Sequence, residues 1–239
     1  MKILSINSTS FSPKARSEKK IRYIIVHYTG MQSRRASIDR LTSKKHKVSC
    51  HYFIDRAGSV VRMVKDNKVA WHAGKSKWKN IINLNEISIG IELVNKGHKF
   101  GYEKFSKKQI NYFVKLCLKL KAKYKIRSSN ILGHSDIAPL RKLDPGEKFP
   151  WHYLSTKGIG MWYSKKKKNK FLKKIEKLKT RNIFFKNLHE IGYRYFDKTR
   201  VSKKDKLIIK AFQRRFRQNK VDGIIDQITL DISNKLAKI

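Results

Sequence analysis

The chain has 239 residues, of which 40% are hydrophobic and 11% aromatic, enough to bury a core and to exclude a disordered polar tail. Its 58 Lys and Arg against 17 Asp and Glu leave a formal net charge of +41, which disfavours cationic partners and predicts attraction to polyanions: nucleic acid, anionic lipid or acidic wall polymers. Cys50 and Cys117 form neither a CxxC pair nor a disulfide framework, and both read as small core residues.

Taken in chain order, residues 1–20 contain only short apolar pieces and read as an N-terminal arm with no signal-length hydrophobic region. That points to the cytoplasm. No apolar run anywhere approaches membrane-spanning length. IRYIIVHYT (21–29) is a continuous β-branched and aromatic run, the pattern of a strand buried on both faces. Residues 33–43 carry helical spacing through Ala36, Ile38 and Leu41. VSCHYFIDRAGSVVRMV (48–64) predicts two strands around a turn at Asp55–Gly58. ISIGIELVN (87–95) is a further strand with Ile87, Ile89, Ile91 and Leu93 on one face and Glu92 on the other. SKKQINYFVKLCLKLKAKYK (106–125) is a helix with Ser106 as N-cap and Ile110, Phe113, Cys117, Leu120 and Tyr124 on one side. ILGHSD then returns as a short strand.

This alternation predicts an α/β domain over 21–163, a mixed central sheet flanked by helices. The lysine-dense stretch 164–180 reads as a solvated linker. Three short helical patterns follow over 181–239, an all-α module with Phe184, Leu188, Leu207, Phe212, Ile228 and Leu236 as candidate core.

One stretch resists periodicity. LGHSDIAPLRKLDPG (132–146) is broken by Ala138-Pro139 and Pro145-Gly146 yet carries His134, Lys142 and Asp144. His134 and Asp144 can supply two ligands of a zinc site, which takes three protein ligands when catalytic. His27, closing a buried strand where ligand sites of open α/β sheets form, is a candidate third. Taken alone, His27 reads rather as a hydrogen-bonded core histidine, and Asp144 as a turn-stabilising carboxylate. Glu92 sits in an otherwise apolar strand, where a carboxylate is costly unless it is paired, solvated or functional.

IIVHYTG, VSCHYFIDRAGSV, AWHAG, SIGIELVN and GHSDIAPLRKLDPG, in that order, resemble the zinc-dependent N-acetylmuramoyl-L-alanine amidases over roughly residues 20–160. That superfamily also contains phage amidase-type lysozymes and peptidoglycan-recognition proteins. The resemblance implies one Zn2+ per chain on His27, His134 and Asp144. It further implies Glu92 as general base, Lys142 as the cation facing the developing oxyanion, and Trp71 and His72 as substrate contacts. Its implied substrate is peptidoglycan or a muropeptide, intact or anhydro, cut between the lactyl group of N-acetylmuramic acid and L-alanine. The C-terminal AFQ and VDG elements resemble the three-helix peptidoglycan-binding domain, which points instead to the cell envelope. Two other classes stay open: a wall-recognition protein without turnover, and a basic nucleic-acid-binding protein, for which no recognition motif appears.

Overall fold

The computed structural model describes residues 1–164 and 177–239. Short 3-10 turns aside, the chain runs through β1 (Ile3–Ser5), β2 (Phe11–Ala15), β3 (Tyr23–Tyr28), α1 (Arg34–Thr42), β4 (Tyr52–Ile54), β5 (Val60–Arg62) and β6 (Lys68–Ala70). It continues through β7 (Lys77–Trp78), β8 (Ile81–Ile82), β9 (Ser88–Leu93), α2 (Lys107–Tyr124), β10 (Ile131–Gly133), α3 (His134–Ile137) and α4 (Trp151–Thr156). Three helices close it: α5 (Lys177–Ile191), α6 (Asp205–Phe216) and α7 (Gln227–Leu236). The expected linker over 164–180 lies mostly outside the described residues, and its last four residues already belong to α5.

The main sheet has the order β1-β5-β4-β9-β3-β10 and is mixed, with β4 and β5 antiparallel and the other pairs parallel. This is the α/β class expected from the alternation of strand and helix patterns. The hairpin of β4 and β5 turns through Gly58, at φ +90°. Ser33 and Ser106 cap α1 and α2, each accepting from the backbone N–H three residues on at 3.1 Å. Residues 1–20 are more than an arm. β1 pairs with β5, and β2 pairs with β6. Main-chain hydrogen bonding recruits them, and it makes little demand on side-chain pattern.

β3 separates two cores. Ile24 and Val26 pack with Ile89, Ile91 and Leu93 of β9 and with Ile110, Phe113, Cys117 and Leu120 of α2. Tyr23 and Ile25 point the other way, into a cluster with Leu132, Ile137, Phe184, Phe212 and Leu230. Each fully buried side chain of this size contributes about 1.5–3 kcal/mol. The C-terminal helices therefore cover the second face of the sheet rather than standing apart from it.

Within that unit Phe184, Leu188, Phe212 and Leu236 are buried as expected, whereas Leu207 and Ile228 are exposed. Their places are taken by Ile208 and Leu230. The buried stripe of α6 is Ile208, Phe212 and Phe216, spaced by four, and Leu207 lies about 100° of helix rotation away from it. The AFQ and VDG elements meet through Gln213, whose amide donates to Asp222 Oδ1 at 3.1 Å and to the Ile224 carbonyl at 2.9 Å while accepting from Gly223 N–H at 2.8 Å. Gly223 adopts φ +79°, which a glycine meets without strain.

Gln213→Ala removes these three bonds and a longer one to the Thr229 hydroxyl from a fully buried site, and is expected to cost about 2–4 kcal/mol of stability in denaturant titration. A loss under about 0.5 kcal/mol would show that the turn holds without this clamp.

Candidate metal centre and cleft

In parallel register His27 is the direct partner of Glu92. Both therefore project from the same face, at the C-terminal ends of adjacent central strands. β10 ends at Gly133, so His134 opens α3 at the same end of the sheet. Asp144 returns to this point by the irregular loop and is tied to α3 by its carbonyl, which accepts from Ser135 N–H at 2.8 Å. Among the described residues these are the three whose metal-competent atoms converge. His27 Nδ1 and His134 Nδ1 are 2.9 Å apart, and each lies 3.0 Å from Asp144 Oδ2. All three residues are buried.

The outer hydrogen bonds fix the tautomers. His134 Nε2 lies 3.1 Å from the Ala73 carbonyl, an oxygen that only accepts, and 3.3 Å from Arg141 Nη2, whose two protons go to the nearer Ala73 and Lys75 carbonyls; Nε2 therefore carries the proton and Nδ1 a lone pair. Ser88 donates its hydroxyl to the Leu84 carbonyl at 2.6 Å and so accepts from His72 Nε2 at 3.2 Å. His72 Nδ1 then accepts from His27 Nε2 at 3.1 Å, leaving a lone pair on His27 Nδ1 as well. Two imidazole lone pairs and one carboxylate oxygen thus face one another. A proton relieves this only by breaking an outer bond, charging a buried ring or neutralising Asp144, whose ionised form the two imidazoles favour. Burial, with His134 adding to it, pushes the His27 imidazole down to about 4, on the neutral side at pH 7. Burial works against ionising Asp144, but the two imidazoles and their hydrogen bonds hold its carboxyl well below the usual range. A divalent cation satisfies all three donors. Their spacing is close to the ~3.3 Å expected between ligands of a tetrahedral ion with ~2.0–2.1 Å bonds.

Glu92 stands beside the triad. Its Oε2 is buried without a hydrogen-bond partner. Burial pushes the carboxyl up to about 8, Asp144 adds to the rise, and Lys142 opposes it. Lys142, Trp71 and Glu92 all line a 680 Å³ cleft over the triad, together with Arg40, Lys96 and Lys99. A larger groove of 1330 Å³ on the helical unit, between Leu178, Val201 and Ile224, holds no such convergence of donors among the described residues.

Both residues picked out in AWHAG line the cleft. Trp71 is partly exposed on its wall, and His72 is more deeply buried and hydrogen-bonded to His27. The imidazole lies so close to β9 that a Cβ on Gly90 would meet His72 Cγ at 2.4 Å. Glycine there lets the ring approach the strand. His51 is fully buried and accepts from Gly90 N–H at 3.0 Å, a structural role. Asn95 is likewise internal, donating to the Glu103 carbonyl at 2.8 Å.

Sequence reasoning missed Arg141 and left His98 without a partner. The Arg141 guanidinium donates to the carbonyls of Ala73 and Lys75, bracing the segment that accepts from His134. His98 bridges the Tyr28 hydroxyl at 2.9 Å and Glu147 at 3.1 Å on the cleft rim. Arg141 lies in the ligand loop, but nothing in that loop indicates carbonyls more than sixty residues away as its targets.

A family model described as N-acetylmuramoyl-L-alanine amidase matches residues 17–147. The chain is 32% identical over 232 residues to the N-acetylmuramoyl-L-alanine amidase AmiD of Escherichia coli (strain K12), covering 91% of this chain and 82% of that protein. It is 36% identical over 113 residues to the 1,6-anhydro-N-acetylmuramyl-L-alanine amidase AmpD of Haemophilus influenzae, 46% of this chain and 59% of that one. The solved complex of E. coli AmiD with the substrate anhydro-N-acetylmuramic acid-L-Ala-D-gamma-Glu-L-Lys superposes with a TM-score of 0.78 at 28% identity, covering 95% and 91% of the two chains. AmpDh3 of Pseudomonas aeruginosa, in complex with anhydromuramic pentapeptide, gives 0.79 at 28% identity, covering 98% and 97%.

His72→Ala removes the acceptor that orients His27 and is expected to lower divalent-cation affinity about 10- to 100-fold in chelator competition. A raised KM with cation affinity intact would instead make His72 a substrate contact.

Proposed function

This chain belongs to the N-acetylmuramoyl-L-alanine amidase family, and from that premise we propose that it is a zinc-dependent hydrolase of anhydromuramyl peptides. It cuts the amide between the lactyl group of anhydro-N-acetylmuramic acid and L-alanine, in cell-wall turnover or recycling. The observation that carries the metal dependence is the convergence of three lone-pair donors within 2.9–3.0 Å. His27, His134 and Asp144 would hold the ion. When bound, zinc supplies Lewis acidity toward an amide carbonyl and toward water.

The remaining chemistry falls to this chain's own groups. Glu92, ionised, accepts a proton from the attacking water at its free carboxylate oxygen and delivers it to the departing L-alanine nitrogen. Lys142 places a positive charge on the cleft wall, where the carbonyl oxygen turns negative during attack. Trp71 offers an aromatic surface to a sugar ring or stem peptide. Arg40, Lys96 and Lys99 suit a substrate whose stem carries carboxylates. The intact donor set and the unpartnered Glu92 oxygen favour turnover over simple wall recognition. Residues 21–163 form the catalytic unit, and 181–239 a peptidoglycan-binding-like helical unit packed on its sheet.

Mass spectrometry of anhydromuramyl-tripeptide digests tests the proposal: free tripeptide with an L-alanine amino terminus is expected, and a chelator should abolish it. Stoichiometric zinc without released peptide would sink it. Glu92→Gln is expected to retain one zinc per chain while kcat falls about 10²- to 10⁴-fold. The pH profile follows in sign from Lys142. Glu92 must be ionised to act, so activity rises with pH through its titration. Lys142 lowers that titration point, so Lys142→Met should move the rising limb to higher pH. An unmoved limb would show that another group sets it.

A further inference from the structure

Asp136 lies two residues beyond His134 in the single turn of α3 and is 1% exposed. Both carboxylate oxygens are engaged. Oδ2 accepts from Gly133 N–H at 2.7 Å and from Arg215 Nη1, and Oδ1 accepts from the Tyr193 hydroxyl at 2.6 Å. Arg215 also donates through Nη2 to the Ile131 carbonyl at 3.1 Å and stacks over Trp151 at 4.3 Å. Tyr193 is fully buried, edge-on to Trp78 at 5.0 Å. Two residues of the C-terminal unit thus grip both sides of the junction between β10 and α3, the junction from which His134 projects.

A four-residue helix cannot fix its own position, because one turn offers too few internal bonds to repay the ordering of its backbone. The main chain of His134 is therefore set from outside. Asp144 and Ser135 hold it on the cleft side, and Asp136 holds it on the helical side. For stability alone, an apolar contact of equal volume would serve as well as a buried ion pair. What the charged pair and the tyrosine hydroxyl add is direction.

We propose that Tyr193 and Arg215 are positioning residues of the metal centre, so that the C-terminal helical unit completes the amidase site. This rests on the reading of His27, His134 and Asp144 as zinc ligands. The test compares Tyr193→Phe, which removes only the hydroxyl, with Phe184→Leu, which loosens the same apolar cluster through Phe185 and Phe212 without touching Tyr193 or Asp136. Zinc dissociation constants come from chelator competition on the full-length chain well below its melting temperature. Kcat and KM come from anhydromuramyl tripeptide at saturating zinc, with Tm recorded for each variant. Tyr193→Phe is expected to weaken zinc binding about tenfold and to lower kcat with KM unchanged. Phe184→Leu should lower Tm at least as far and leave zinc affinity within about twofold of wild type, since its ring partners are Phe185 and Phe212 and not Tyr193, Arg215 or Asp136. Wild-type affinity in Tyr193→Phe, or losses in both variants that simply track Tm, would overturn the proposal. Should Tyr193→Phe fail to fold, Arg215→Lys carries the same readout, because it keeps the charge and loses the fork to Ile131. A wild-type chain that binds no zinc overturns the metal reading and this inference together; normal zinc binding with an unaffected Tyr193→Phe overturns this inference alone.

Discussion

Three lone pairs aimed at one point are a constraint no protein arrangement satisfies by itself. His27 Nδ1, His134 Nδ1 and Asp144 Oδ2 repel unless a cation lies among them, and the outer hydrogen bonds prevent a proton from taking that place cheaply. Much of the surrounding structure serves this constraint. Gly90 leaves room for the His72 ring, Ser88 fixes its tautomer, and the Ala73 carbonyl fixes that of His134. Arg141 holds the segment bearing that carbonyl in place. The donor set is thus prepared at the level of proton positions as well as side-chain distances.

Glu92 belongs to the same electrostatic unit. A carboxylate buried beside Asp144 resists ionisation, and Lys142 is the nearby charge that offsets this. One positive charge thereby has two uses in the proposed chemistry: it keeps the base available, and it faces the oxygen on which negative charge grows. The parallel pairing of β3 and β9 places Glu92 and His27 side by side without any loop to position them.

The helical unit changes how the chain divides. Its cluster is continuous with Tyr23, Ile25, Leu132 and Ile137 of the sheet domain, and its polar knot closes on Asp136. A lysine-dense connection in sequence suggests a tether between independent parts, yet the described residues on either side share one core. Any attraction to anionic wall polymer from the +41 charge acts on this joined body.

What the sequence determined by itself was whatever is local or periodic. The buried strand at 21–29, the hairpin around Gly58, the amphipathic helix after Ser106 and the AFQ and VDG signature all rest on neighbours within a turn or a strand. The ordered motifs also pointed to His27, Glu92, His134, Lys142 and Asp144, which the fold brings to one cleft. Helix phase was less legible: Leu207 and Ile208 are adjacent and equally apolar, and only the packing partner decides which is buried. The short β1 needed a partner strand to exist at all. The role of His72 behind His27, the brace from Arg141 and the grip of Arg215 and Tyr193 on Asp136 were decided by tertiary structure alone. Each joins residues 45 to 79 positions apart through directional hydrogen bonds, and such bonds have no period that a sequence can display.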